Sequence, residues 1–167
     1  LRYAAVSGLA GIGDRNALLE HVEDPSSAAR LGILLALRRM GDPAIARFLD
    51  DDHPRLVTEA ARAIYDTPIK GAQVPLSNAL DAYLQRDKAD SPARPADDTL
   101  LRRLLAANYR GGSEEHAKRI LRFLQHESSP LSSRREAARM LADWQEPSPL
   151  DRVVGLFRPL QKRDAET

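Results

Sequence analysis

The chain has 167 residues, 43% hydrophobic and 29% charged, with 25 basic against 24 acidic side chains and a net charge of +1. That length suits one packed domain or a short repeat array, and the composition is that of a folded chain rather than a disordered one. The lack of cysteine excludes disulfides, thiolate catalysis and thiolate metal sites. No apolar run reaches the roughly 20 residues that span a bilayer.

Aromatic residues make up only 5% of the chain, while Ala, Leu and Arg are abundant, a bias that favours packed helices over a β-sandwich. Residues 1–20 lack the layout of a signal peptide, so any address signal is expected outside the chain. In chain order, apolar periodicity predicts long helices over 2–12, 26–40, 54–65, 99–110 and 131–144. Shorter helices are expected between and after them, over 15–22, 43–51, 76–86, 113–126 and 148–157. Asp24-Pro25, His53-Pro54, Ser129-Pro130 and Ser148-Pro149 each bring a proline to a helix start, where its missing N–H costs nothing. No segment alternates convincingly enough to be a strand. "RDKADSPARPADD" (86–98) is polar and proline-bearing and reads as an exposed loop inside the array.

The chain is similar to itself. "LRYAAVSGLAGIGD" (1–14) aligns with "ARLGILLALRRMGD" (29–42) at a shift of 28, placing Arg2 on Arg30 and Gly13-Asp14 on Gly41-Asp42. "LVTEAARAIYD" (56–66) follows on a similar phase, and "SRREAARMLAD" (133–143) repeats its "EAAR". The repeat also disposes of a phosphate loop at Gly8, Gly11 and Gly13. Position 11 is replaced by Arg39 in the second copy, no strand precedes the glycines, and no Gly-Lys-Ser/Thr follows them. Gly13 and Gly41 are expected to end helices in the left-handed conformation, with Asp14 and Asp42 capping the next. The expected pattern is a series of antiparallel hairpins, each made of a short and a long helix.

"LRYAAVSGLAGIGDRNAL" and "EAARAIYD" resemble HEAT-type α-solenoid repeats, over nearly the whole chain. The resemblance implies an all-α, right-handed α-solenoid of about four to five hairpins, a single array over 1–167 that is truncated at both ends. "LRRLLAANYRGGSEEHAKRILRFL" and "ARMLADWQEPSPLDRVVGLFRPL" further resemble the HEAT segment of large planctomycete and verrucomicrobial membrane-bound dehydrogenases. In that family a β-propeller precedes the repeats and a c-type haem domain follows. Without a cysteine this chain has no haem attachment residue, so the resemblance implies the non-catalytic middle of an exported or membrane-associated protein.

Candidate chemical groups are sparse. His21, His53, His116 and His126 form no His-Glu-x-x-His, and His116 and His126 lie about 280° apart around a helix; all four read as solvated. "DDDH" (50–53) lacks the interleaved ligands and glycine of a calcium loop, and Asp52 is expected to cap the helix after Pro54. Ser7, Ser77 and Ser113 lie in no nucleophile elbow. Trp144 is expected to plug the core. No catalytic, cofactor-binding or metal-binding residue is assigned.

Charge distribution says more than net charge. The five long helices carry twelve arginines against Glu59, Glu136 and Asp143, while the rest of the chain carries thirteen basic against twenty-one acidic residues. In HEAT-like solenoids the long second helices line the concave side, which would then be arginine-rich. Arg2 and Arg30 stand where a repeat arginine commonly pairs with an aspartate between repeats, and Asp24 is available to Arg30. Arg38, Arg62, Arg103, Arg135 and Arg139 are the candidate partner-binding residues, forming a groove that steers an acidic protein surface or a neighbouring domain. The alternative is a DNA-binding HEAT-like enzyme of the alkylbase glycosylase type, with arginines on phosphates and a carboxylate acting on a flipped base. Sparse aromatics count against it. A chromophore-lyase-like HEAT protein is a third option.

Overall fold

The computed structural model describes residues 8, 11, 14–86 and 98–163. Among them the protein is all-α, with seven α-helices and one 3-10 helix. Gly8 and Gly11 are helical. The rest of the expected 2–12 helix, the Gly13 turn and the interior of the 86–98 loop lie outside the described residues. The chain divides into two compact units, Leu1–Leu76 and Ser77–Thr167.

In the first unit, α1 (Arg15–Glu20) and α2 (Ser27–Met40) are followed by a 3-10 helix (Pro43–Asp50) and α3 (Pro54–Asp66). The Gly-Asp turn behaves as its composition demands. Gly41 ends α2 with φ +67°, a conformation that costs a side-chain-bearing residue steric strain. The Asp42 N–H reaches back to the Leu37 carbonyl at 3.0 Å. Its carboxylate accepts the Ala44 N–H at 2.8 Å and opens the next helix, as Asp14 does for α1 through Ala17. The expected helix over 43–51 is wound as a 3-10 helix, in which residues three apart eclipse, and Ile45 and Phe48 enter the core together. They pack with Leu34, Leu37, Leu56 and Ile64, all fully buried.

Arg30 does not pair with the Asp24 carboxylate, which instead accepts the Ser26 N–H. Its guanidinium forks onto Asp51 at 2.9 and 3.0 Å, reaches Asp52 at 2.6 Å and donates to the Asp24 backbone carbonyl. Asp52 accordingly does not cap α3, whose N-cap is His53, without a side-chain hydrogen bond. The acidic run serves as a counter-charge. Burial alone would raise the Asp51 pKa, but hydrogen bonds from Arg30 and the His53 N–H outweigh it and hold the carboxyl below the usual aspartate range.

Helix α4 (Gln73–Arg86) begins one turn before the expected 76–86 and carries the boundary between units. In the second unit, its Ser77–Arg86 portion is joined by α5 (Asp98–Gly111), α6 (Glu114–Gln125) and α7 (Leu131–Ala142). Leu80, Leu101, Leu104, Leu105, Ile120 and Phe123 fill the core. Asn108, fully buried, donates to the Ser77 and Leu104 carbonyls and ties α5 to α4. Arg119 and Arg122 of α6 both hold Asp81 of α4, at 2.6 and 2.9 Å. Between α5 and α6, Gly112 turns the chain at φ +73°. A Cβ on Gly111 would lie 2.5 Å from the His116 ring.

The expected helix over 148–157 does not form. Asp151, its side chain fully buried, accepts the N–H groups of Val153 and Val154, and Gly155 turns the chain left-handed at φ +69°. An isolated antiparallel bridge then pairs Leu150 with Phe157. A buried carboxylate drawing in two successive N–H groups, with a left-handed glycine after it, stops a helix within a turn.

Two stability predictions follow from the first unit. Gly41→Ala should cost about 1–2 kcal/mol by urea denaturation, because only glycine takes positive φ without strain. A depressed folded pKa stabilises the native state above the unfolded pKa, and that contribution disappears as pH falls through the folded one. Asp51→Asn should therefore be less stable than wild type at neutral pH, with the difference closing below about pH 4. Urea midpoints measured across that range test it.

Candidate arginine-rich interface

Each unit presents arginines on its long helices. In the first, Arg38 on α2 and Arg62 on α3 are exposed. Arg62 sits 3.1 Å from Glu59, three residues earlier on the helix surface. In the second, Arg135 and Arg139 on α7 are exposed, and Arg139 lies 3.6 Å from Glu136. The two copies of "EAAR" therefore make the same local ion pair, an exposed one of modest stabilising value. Arg103, half-buried on α5, turns back to donate to the Thr99 carbonyl at 2.9 Å. Of the five arginines the sequence singles out, Arg135 and Arg139 are brought onto one helix face, four residues apart.

Two arginines that sequence reasoning passed over join them. Arg152, assigned to the helix that does not form, lies across α5 and α7. Its guanidinium bridges Glu136, at 3.4 Å, and Asp143, and stands over the Tyr109 ring at 5.4 Å. Arg102 of α5 donates to the Arg152 carbonyl at 3.0 Å. Burial opposes the charge on Arg152, but Glu136, Tyr109 and Asp143 outweigh it and raise its pKa.

The segment 145–163 is a strap laid over the ends of α5 and α7. Trp144 is buried, as expected of a core plug. Its indole lies 5.8 Å from Tyr109, edge to face, and its own face is covered by the Arg163 guanidinium at 4.0 Å. Arg163 also donates to the Trp144 and Tyr109 carbonyls. Burial lowers its pKa. Asp151 anchors the middle of the strap, 3.5 Å from Arg110 and 3.7 Å from Arg158. Tyr109 Oη donates to the Asp143 carbonyl at 2.9 Å, closing α5 onto α7.

His21 and His53 are exposed, as expected, at the end of α1 and the start of α3, whereas His116 and His126 are half-buried at helix ends. Half-buried His116 completes a capping box with Ser113, its Nδ1 2.6 Å from Ser113 Oγ. Burial, with Arg119 and Arg163 adding to it, lowers the His116 pKa. His126 Nδ1 lies 3.0 Å from Ser129 Oγ. Among the described residues, no group of three or more His, Asp or Glu side chains is placed to hold a metal ion. None of their helices is long and apolar enough to cross a membrane. No family model, curated protein or solved structure matches the chain.

Trp144 is the single tryptophan, so its emission reports the strap directly. Arg163→Ala removes the guanidinium over the indole and two hydrogen bonds that fasten the strap. The emission maximum should shift to the red and acrylamide quenching should rise, with the far-ultraviolet circular dichroism preserved. Unchanged emission would show that the strap holds without Arg163.

Proposed function

We propose that the chain is a non-catalytic scaffold of HEAT type, a right-handed α-solenoid of four to five hairpins in one array, whose long helices dock an acidic protein surface through their arginines. The parent is a larger oxidoreductase-associated protein, a reading that rests on the resemblance of 101–124 and 138–160. The observation that carries the docking reading is the repeated "EAAR" pair. In both units an arginine is held at the surface of a long helix by the glutamate one turn before it. The Gly-Asp helix junction and the Arg30–Asp51 fork support the repeat reading, because both answer the needs of a short turn between stacked helices.

Exposed arginines attract anions through long-range fields that salt screens, with a Debye length of about 10 Å at 0.1 M. A fluorescein-labelled poly-glutamate peptide should therefore bind at low salt and dissociate as salt is raised. The Arg62→Glu and Arg139→Glu variants should each weaken binding by about three- to tenfold. Fluorescence anisotropy with the peptide and with duplex DNA tests the reading. No binding of the peptide overturns it, and tighter binding of the DNA favours the nucleic-acid alternative instead.

A further inference from the structure

We infer that Arg152 is a positioning residue for acidic-partner docking: the strap uses it to mask Glu136 and Asp143, the two carboxylates on the α7 face that carries Arg135 and Arg139. The inference rests on the docking reading and adds a part that composition alone does not supply.

The geometry gives three reasons. Glu136, Arg139 and Asp143 follow one another at i, i+3 and i+7, so they share a helix face. Without the strap, Glu136 would be left to Arg139 alone at 3.6 Å, and Asp143 would face an incoming acidic chain unopposed. With the strap, one guanidinium engages both carboxylates.

The second reason is fixity. The residue before Arg152 is the buried Asp151, held by two N–H groups and near Arg110 and Arg158. The Arg152 carbonyl is held by Arg102, and its guanidinium stands over Tyr109. A guanidinium held at both ends is pre-organised, so docking need not order it. The third is exposure: Asp143 is half exposed, at 50% of its side-chain surface, and Glu136 is at 25%. Both are therefore within reach of a docked chain when unmasked, and repulsion from them would act directly on its carboxylates.

The experiment uses the intact chain and the same poly-glutamate peptide, with four proteins compared by anisotropy at low salt. Arg152→Gln should weaken binding about fivefold. Adding Asp143→Asn to Arg152→Gln should return affinity to within about twofold of wild type, because the more exposed of the two masked charges is gone while Glu136 still holds Arg139. Asp143→Asn in the presence of Arg152 should change affinity less than twofold. Wild-type affinity in Arg152→Gln would overturn the inference and leave the docking reading standing. An Arg152→Gln loss that the added Asp143→Asn substitution fails to restore would assign Arg152 a purely structural role and overturn it too. If Arg152→Gln disturbs the fold, the Asp143→Asn protein still decides, since a gain well above twofold means that Asp143 was never masked. No binding by wild type removes both readings together.

Discussion

A chain of short helices ends often, and each end leaves backbone carbonyls and N–H groups that the helix cannot satisfy. Arginine is the residue that answers this constraint here. Its five donors fan out in one plane, so one side chain can take a carboxylate and a carbonyl at once. Arg30 does so with Asp51 and the Asp24 carbonyl. Arg110 reaches the Arg158 carbonyl and lies near Asp151, and Arg163 takes two carbonyls while lying on two aromatic faces. Lysine, with one ammonium and no plane, could replace none of these without losing a contact.

That structural demand decides which arginines stay at the surface. The ones committed to turns and helix ends come largely from α1, α6 and the strap: Arg15 on Asp42, Arg119 and Arg122 on Asp81, and Arg152, Arg158 and Arg163 at the end of α7. On the long helices, Arg30 and Arg110 are similarly committed, whereas Arg38, Arg62, Arg135 and Arg139 stay exposed. Arg62 and Arg139 are tethered to a glutamate one turn away, an arrangement that holds the guanidinium at the surface without burying it. The division between structural and exposed cations therefore follows tertiary contact and not helix length: the helices Glu114–Gln125 and Leu131–Ala142 both have 12 residues, yet Arg119 and Arg122 reach Asp81 while Arg135 and Arg139 stay exposed.

What could be read in advance, and what could not, divides along the same line. Helix identity was legible because it depends on local periodicity and on caps: Gly41, Asp42, Asp14 and Ser26 act within four residues of their own positions. Partner choice was not. Arg30 has Asp24 six residues away and chooses Asp51, twenty-one away, because the Asp24 carboxylate is already taken by the Ser26 N–H. Ser148-Pro149 carries a fair helix-start signal, but Asp151 two residues on turns its carboxylate inward and takes the very N–H groups a helix would leave open. Arg102 and Arg152 were passed over for the same reason: what marks them is a contact made across 50 residues of sequence, and no periodicity announces it.

The strap shows how a surface at the end of packed helices can be finished without another helix. Tyr109 and Trp144 are large, flat and close to the ends of α5 and α7, so they need cover that an aliphatic helix face would otherwise give. An irregular segment has little apolar face to offer, but a guanidinium plane can lie on an aromatic ring while its edge donates to nearby carbonyls. Arg163 does both at the same place, covering Trp144 and satisfying the carbonyls of Trp144 and Tyr109. The desolvation that lowers its pKa is thereby offset on the face by π electrons and on the edge by carbonyl oxygens, with no carboxylate required.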